Sequence, residues 1–355
     1  MNDNRLRALG IALGFAADTV FADPSRWHPV AGFGHCALAL EGALHPVAGV
    51  GVGPGARGST GTRFRGVVFT VVLVGGAATA AGAAEHLTAR RPALRVATTA
   101  VTVWSCLGGT SLLRVAQRHA QLLEQGDVPG SRELLPWLCG RDPRALDAGD
   151  LARAVVESVA ENTSDAAVAS LFWAAVAGPA GAAAHRAANT LDAMVGHRSQ
   201  RYADFGWAAA RLDDVLGWPA ARVAALVTAM TAPVVGGRPG EAMRAWSRDA
   251  PAHPSPNAGV IEAACAGALG VQLGGRTPYP YGVQMRPLLG RGPAPRPDDV
   301  RKAVRLMRCT QVAVAAGAVL ARVVLGAVVE RHTGRRQVRS RSARRCARRR
   351  SASSR

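Results

Sequence analysis

The sequence predicts an all-α, polytopic helical membrane protein with short extramembrane helices and loops. Three stretches without a charged side chain support this prediction: Val67–Ala84 and Val96–Leu113 have 18 residues each, and Ala166–Ala184 has 19. At 1.5 Å per residue each stretch covers about 27 to 29 Å, close to the hydrocarbon thickness of a bilayer. No stretch alternates apolar and polar residues over a useful length, so strands are not predicted.

Three further segments fit this architecture. Ala8–Ala17 is a short apolar run that lacks a clear cleavage site, so we expect a retained first helix rather than a signal peptide. Val223–Gly237 is shorter and contains Pro233, and Thr310–Val329 is interrupted only by Arg322. Alanine-rich helices also fill the interiors of large soluble proteins. Several such runs in one chain, with Arg or acidic clusters at their edges, favour the membrane interpretation.

The intervening stretches are polar, and the last of them is rich in Pro and Gly. They are predicted to form loops and short helices that lie against the membrane: Glu124–Arg153, Asn189–Asp214, Arg238–Asn257 and Arg276–Lys302. Residues 1–330 are therefore expected to form a single helical membrane domain, followed by an Arg-rich tail at 331–355.

The positive charge is concentrated in that tail. The chain has a formal net charge of +19, and residues 331–355 contain 11 arginines and no acid. An Arg/Ser/Ala segment without aromatic residues has nothing to stack on bases, so we expect a disordered tail and no nucleic-acid partner. The positive-inside rule predicts a multi-pass protein of the plasma membrane with a cytoplasmic C-terminus.

Residue usage excludes several reaction classes. The single lysine, Lys302, leaves no P-loop Gly-Lys-Ser/Thr motif, so ATP would have to bind in another way. The six cysteines include no Cys-x-x-Cys pair, and neither a zinc site nor a disulfide framework is predicted. His-Glu-x-x-His and Gly-x-Ser-x-Gly are also absent, which removes local support for zincins and α/β-hydrolases.

An acidic stripe precedes the third uncharged run. A spacing of four places Arg153, Glu157 and Glu161 on one helical face, and Asp165 follows one turn later. In a soluble helix this pattern is typical of a solvated ladder of salt bridges. At the mouth of a membrane span, three carboxylates are costly unless a cation or an ion-pair network neutralises them, which favours a functional site.

A second polar cluster follows the same run. It contains Asn189 and Asp192, and then Arg211 with the pair Asp213 and Asp214. Hard oxygen ligands from Asn and Asp suit a Mg²⁺ ion that bridges phosphate oxygens. Two such clusters around one apolar segment predict a phosphate-handling site at the membrane face.

Two loops add candidates whose functional and structural interpretations both remain open. His28 precedes a proline and is a candidate base or phosphate ligand, or else a structural residue of a turn. The segment Ser255-Pro256-Asn257 is typical of a capped helix start, and the glycines that follow it could pack closely or cradle phosphate.

Together these motifs resemble the membrane-bound adenosylcobinamide-phosphate synthases of cobalamin biosynthesis, the CobD/CbiB family, over roughly residues 10 to 325. The segments that carry the resemblance are Asp23-Pro24, His28-Pro29-Val30, Gly140-Arg141-Asp142, Arg153-Ala154, Glu157 to Asn162, Asn189 to Gly196, Arg201 to Trp207, Ala210 to Asp214, Ser255 to Gly259 and Ala268 to Gly270. The chain departs from the family pattern at Ser170, where a proline is usual, at Gly217 to Arg222, and after about residue 330.

The resemblance implies a ligase that forms a carbon–nitrogen amide bond, driven by ATP with Mg²⁺. It would join adenosylcobyric acid to (R)-1-aminopropan-2-ol phosphate, or a close aminoalcohol phosphate, and release adenosylcobinamide phosphate; the corrinoid is a substrate and not a prosthetic group. The roles implied are catalysis for Glu157, Glu161, Asp192, Asp213 and His28, metal binding for Asp165, Glu161, Asp213 and Asp214, phosphate clamping for Arg141 and Arg211, and orientation of substrates for Asn162, Asn189 and Asn257.

Two other functions fit the residues alone. A membrane Mg-dependent prenyl-type transferase would use similar Asn/Asp-rich helix ends but would need an apolar tunnel. A membrane transporter would carry its acids in mid-span, whereas here they lie at span edges. The expected partners are the two small-molecule substrates and membrane lipid, with later enzymes of cobalamin assembly and a second copy of the chain as candidate protein partners.

Overall fold

The computed structural model describes residues 2–23, 29–45, 60–197 and 199–352, with the last helix's side chains described as far as Glu330 except at residue 329. Twelve α-helices and one β-hairpin form this part of the chain. The helices are α1 Asp3–Phe21, α2 Pro29–Leu44, α3 Thr60–Leu87, α4 Pro92–Cys106, α5 Gly109–Glu124, α6 Val128–Leu134, α7 Ala148–Thr163, α8 Ala169–Val195, α9 Trp207–Thr231, α10 Pro239–Asp249, α11 Ala258–Leu269 and α12 Pro297–Ala352. Short 3₁₀ turns cover Leu135–Trp137, Ala232–Val235 and Ala250–Ala252, and a π-helical turn, Ser164–Val168, joins α7 to α8.

Five helical segments are long and apolar enough to cross a membrane, as the uncharged runs predicted. They are Thr60–Leu87, Pro92–Glu124, Ala148–Val195, Trp207–Val235 and Pro297–Val328. The prediction of an all-α, polytopic membrane protein is confirmed.

Two of these segments are broken where the sequence suggested continuous runs. The run Val96–Leu113 contains the junction between α4 and α5, where the Gly108 N–H donates to the Ala166 carbonyl of the π-helical turn at 3.0 Å. The run Ala166–Ala184 contains Gly178, whose φ of 70° lies in the left-handed region, followed by Pro179. Both breaks place polar backbone against protein neighbours rather than lipid.

The arginine inside the last uncharged run is satisfied by neighbouring helices. Arg322 Nη1 donates to Asn4 Oδ1 at 3.0 Å, and its Nη2 donates to the Val176 carbonyl at 3.1 Å. These bonds join α12 to α1 and α8, so this charge is held within the bundle and is only 4% exposed.

The hairpin corrects the expectation of loops and short helices in Arg276–Lys302. Strands β1 (Leu273–Tyr279) and β2 (Gly282–Leu289) pair antiparallel, with Tyr279 opposite Gly282 and a bulge between Leu273 and Gly275. Tyr279-Pro280-Tyr281-Gly282 places proline and glycine where a type I turn favours them. That turn signal was available in the sequence, although the strands themselves do not alternate.

The final helix passes through the boundary predicted at residue 330. The backbone of the Arg-rich segment continues α12 to Ala352. Its separation as a disordered tail stays a prediction, since only the backbone is described there.

Close packing of α1 on α4 yields a stability prediction. A Cβ at Gly14 would lie 2.7 Å from the Ala100 carbonyl oxygen and 2.8 Å from Val103 Cβ. We expect Gly14→Val to lower the free energy of unfolding by about 1 to 3 kcal/mol, the usual cost of overpacking. Thermal unfolding in detergent measures it. Gly75→Val is the control, because a Cβ at Gly75 meets nothing within 4 Å, and equal losses in both variants would contradict this prediction.

Candidate active site

The predicted stripe is formed by helix α7. Asp147 caps the helix by accepting from the Asp150 N–H at 2.8 Å, and the helix continues to Thr163. Arg153 and Glu157 are buried, whereas Glu161 is partly exposed. The stripe is therefore not a solvated ladder, since two of its members face the protein interior.

Glu157 is held by charges and a backbone donor from outside its own helix. The carboxylate is 1% exposed and forms a close ion pair with Arg141. The Gly274 N–H donates to its Oε1 at 2.7 Å, and Arg286 Nη1 lies 3.7 Å from its Oε2. Two guanidiniums and a backbone N–H therefore hold the Glu157 carboxylate in one position and favour its ionised form.

The bulge in the hairpin delivers that backbone donor. Gly274 has a φ of 85°, and a Cβ there would collide with the Pro287 backbone. The Gly274 carbonyl accepts from Arg153, which also donates to the Arg276 carbonyl at 2.9 Å. Arg153 thus joins α7 to β1 and has a positioning role.

The loop that carries Arg141 is tied to the same hairpin. The Asp142 N–H donates to the Pro278 carbonyl at 3.1 Å. The Asp142 carboxylate binds Arg144, with Arg144 Nη2 2.6 Å from Oδ2. The Gly140-Arg141-Asp142 motif is therefore held at Asp142, the residue directly after the arginine that pairs with Glu157.

Arg286 on β2 is the centre of a second group of contacts. Its Nη2 lies 2.6 Å from His253 Nε2 and 3.4 Å from Glu262 Oε1. Burial and the charge of Arg286 lower the pKa of His253, which favours the neutral imidazole that accepts this bond. Burial raises the pKa of Glu262 well above its ordinary value, against the opposing effect of Arg286.

These contacts border a cavity of about 330 Å³. Six of the twelve predicted site residues line it: Arg141, Glu161, Asn162, Asp165, Asn189 and Asp192. The other lining residues are Leu138, Cys139, Gly140, Ser158, Ala193, Tyr279 and Arg286. The structure therefore brings both predicted polar clusters to one cavity.

The cavity has a cationic side and an acidic side. Arg141 and Arg286 line it from the loop and the hairpin, and both interact electrostatically with Glu161. Asp165, in the π-helical turn, interacts with Glu161 and Asp192 on the other side. π-helical turns occur frequently at functional sites, and here the turn carries an acidic side chain to the cavity wall.

Asp213 extends the acidic side from helix α9. Its carboxylate interacts electrostatically with Asp165 and Asp192 and lies close to the side chain of Asn189. Its Oδ1 is buried without a hydrogen-bond partner among the described residues. An unpartnered carboxylate oxygen beside other carboxylates is a natural ligand for a hard cation.

No group of three or more His, Cys, Asp or Glu side chains that could hold a metal ion is found in the described ranges. Mg²⁺ usually keeps several waters and binds through one or two carboxylates together with substrate phosphates. Asp165, Asp192 and Asp213 fit that mode of binding better than a complete protein cage.

Arg211, Asp214 and Asn257 lie outside this cavity. Arg211 is exposed and pairs with Asp214 at 3.5 Å, and both line a separate pocket beside Trp218. Asn257 Nδ2 donates to the Asp214 carbonyl at 2.9 Å, and its Oδ1 accepts from Arg222 at 3.0 Å. These contacts give Asn257 a structural role joining α9 to the start of α11.

His28 lies outside the described residues, so its role stays a prediction. The residues that sequence reasoning missed are Arg286, His253, Tyr279 and Glu262. Helix α11 carries Glu262, and the hairpin carries Arg286 and Tyr279. Only the turn signal between the strands pointed to this region.

Comparison with known proteins gives one consistent family. The family described as "CobD/Cbib protein" matches residues 11–307. The protein named "Cobalamin biosynthesis protein CobD" in Mycobacterium tuberculosis is 48% identical over 314 residues, covering 88% of this chain and 95% of that protein. The protein of the same name in Chromobacterium violaceum is 40% identical over 321 residues, covering 90% of this chain and 98% of that protein. No solved structure matches.

Proposed function

The chain belongs to the CobD/Cbib protein family, and from that premise we propose that it works in cobalamin biosynthesis as an adenosylcobinamide-phosphate synthase. The proposed reaction joins a carboxylate of adenosylcobyric acid to the amine of (R)-1-aminopropan-2-ol phosphate at the expense of ATP. The observation that carries the proposal is the cavity, in which two guanidiniums oppose a group of carboxylates and amides.

The size of the cavity limits what it can take in. About 330 Å³ is at the small end for ligand sites. It suits the aminoalcohol phosphate and the reacting carboxylate arm, and the corrin ring would stay outside.

The cationic side is proposed to hold phosphate. Arg141 and Arg286 each have five N–H donors, and their contacts with the described residues use only some of them. Guanidinium groups match phosphate oxygens in charge and in geometry, so their remaining donors suit the aminoalcohol phosphate.

The acidic side is proposed to bind the Mg²⁺ of the nucleotide and to accept the proton of the attacking amine. A carboxylate is a poor electrophile, so in the proposed reaction a carboxylate oxygen of the corrinoid first takes the γ-phosphoryl group of ATP and ADP is released. The amine then attacks the carbonyl carbon, and phosphate leaves with that oxygen as the bond to nitrogen forms. Glu161 lies between the two sides and is the proposed base that removes a proton from the ammonium before it attacks. Asp165, Asp192 and Asp213 are the proposed holders of Mg²⁺, which when bound would neutralise phosphate charge.

The direct test is an assay of the purified protein with adenosylcobyric acid, aminopropanol phosphate and Mg-ATP. We expect adenosylcobinamide phosphate to form with one amide bond per ATP consumed, detected by mass spectrometry. Omitting ATP or Mg²⁺ should abolish the product. ATP consumption without a new amide would contradict the proposal.

Membrane orientation is a separate prediction. We propose that the protein is embedded in the plasma membrane with its C-terminus in the cytoplasm, because 11 arginines follow the apolar segment Pro297–Val328. Carbonate extraction should leave the protein in the membrane pellet. A cysteine-reactive, membrane-impermeant reagent should label a cysteine added at the C-terminus only after the cells are lysed, and labelling of intact cells would reverse the orientation.

A further inference from the structure

Two rows of arginines face each other across a groove between α5 and α12. Arg114 and Arg118 lie one turn apart on α5, and Arg301, Arg305 and Arg308 follow one another at the same helical spacing on α12. The groove has a volume of about 580 Å³. It lies apart from the candidate active site, and no residue lines both cavities.

The positive charge of this groove is poorly compensated within the described residues. Among the five arginines, only Arg301 forms an ion pair with a described carboxylate. Its Nη2 lies 2.7 Å from Glu124 Oε1. The nearby acids of α12 are engaged by Lys302, which lies 3.0 Å from both Asp298 and Asp299. Arg114 and Arg305 form no ion pair with any described residue. Like charges this close are unfavourable unless an anion lies between them.

The groove lies at the edge of the apolar part of the bundle. Arg114 comes directly after the uncharged run Val96–Leu113, and Arg308 comes two residues before the uncharged run that starts at Thr310. Since α5 and α12 pack against each other, both rows lie at the same end of their apolar segments. In a bilayer this is the level of the lipid headgroups.

We infer that this groove is a binding site for the phosphate of an anionic phospholipid headgroup. Phosphate oxygens accept paired hydrogen bonds from guanidinium groups, and two facing rows can hold one phosphate from both sides. Free phosphate shares this chemistry, but only a lipid is held at this depth by its own acyl chains. The site is independent of the reaction proposed above.

The test measures lipid retained by the full-length protein after purification in mild detergent from membranes that contain phosphatidylglycerol and phosphatidylethanolamine. Native mass spectrometry counts the phosphatidylglycerol molecules that remain bound. Arg114→Gln/Arg305→Gln replaces two arginines that form neither an ion pair nor a side-chain hydrogen bond with a described residue. It should reduce retention about thirtyfold, given about 1 kcal/mol for each basic residue near a charged lipid surface and a tenfold change for each 1.4 kcal/mol. Arg114→Lys/Arg305→Lys keeps the charge and should restore most of the retention.

The matched control is Arg90→Gln/Arg91→Gln, which removes the same charge from two exposed arginines at the other end of the Pro92–Glu124 segment. The control should retain phosphatidylglycerol within about twofold of the unaltered protein, because neither Arg90 nor Arg91 lines the groove. Equal retention by the groove variant and the control would overturn the inference. Displacement of the lipid by millimolar inorganic phosphate would also overturn it, because the groove would then be a soluble phosphate site.

Discussion

Glu161→Gln is expected to lower turnover by about two to three orders of magnitude, which is typical for removal of one major electrostatic or proton-transfer group. Glu161 lies between the guanidiniums of Arg141 and Arg286 and the carboxylate of Asp165 at the cavity wall. Glutamine keeps the shape of the side chain but can neither accept a proton from the ammonium nor balance the two arginines. Single-turnover assays with saturating substrates measure the effect.

The matched control is Glu241→Gln on helix α10. Glu241 is exposed, pairs with Arg244 and does not line the cavity, so the same chemical change should leave turnover within about twofold, as for most surface substitutions. Normal turnover in a folded Glu161→Gln protein would reject Glu161 as a working group of the site. It would leave the family membership untouched, because that rests on the whole chain.

The double variant Glu161→Gln/Asp213→Asn tests whether the two carboxylates act in the same site or in separate sites. If both carboxylates serve the same bound phosphates, the double variant should lose much less activity than the product of the single losses, because residues that act as a unit fail together. A multiplicative loss would show that Asp213 acts elsewhere.

The sequence predicted how the side chains are arranged along α7, because helical periodicity is local. A spacing of four is enough to place Arg153, Glu157 and Glu161 on one face, whatever the helix packs against. The burial of Glu157 was not predictable in this way, since it depends on Arg141 and the bulge at Gly274, which come from distant segments.

The other half of the site depends on contacts between segments far apart in sequence. Arg286 reaches Glu157, Glu262 and His253 only because the hairpin folds back over α7 and α11. Neither strand has the alternation that identifies a half-buried strand, since glycines and prolines occupy several positions. Pair contacts of this kind cannot be derived from the spacing of residues in one element.

The charged residues of α9 that the sequence grouped together do not all face the same cavity. Arg211, Asp213 and Asp214 follow one another on α9, but consecutive helical residues point in different directions. The result is that Asp213 turns towards Asp165 and Asp192, while Arg211 and Asp214 line the neighbouring pocket. Arg211 and Asp214 thus line a different pocket from Asp192, although Asp214 still interacts electrostatically with Asp192.

Arg286→Gln is expected to have the largest effect on stability, lowering the free energy of unfolding by about 3 to 5 kcal/mol, the cost of breaking a buried ion pair from one side. The Arg286 side chain is 15% exposed, and its guanidinium lies within 4 Å of carboxylate oxygens of Glu157 and Glu262, whose side chains are 1% and 0% exposed. Arg276→Gln is the control on the same hairpin, because the Arg276 side chain is exposed. Thermal or denaturant unfolding in detergent measures both variants.

The loss in Arg286→Gln should also depend on pH, through Glu262. Burial raises the pKa of Glu262 well above its ordinary value, and the charge of Arg286 opposes that rise. Without Arg286 the pKa in the folded protein rises further, so ionisation of Glu262 penalises folding over a wider range above its unfolded pKa. The deficit relative to the unaltered protein should therefore be smaller at about pH 5 than at about pH 8. Adding Glu262→Gln should remove this pH dependence and recover part of the stability, since the buried acid is then absent; a deficit that is equal at both pH values would show that Glu262 is not stabilised by Arg286.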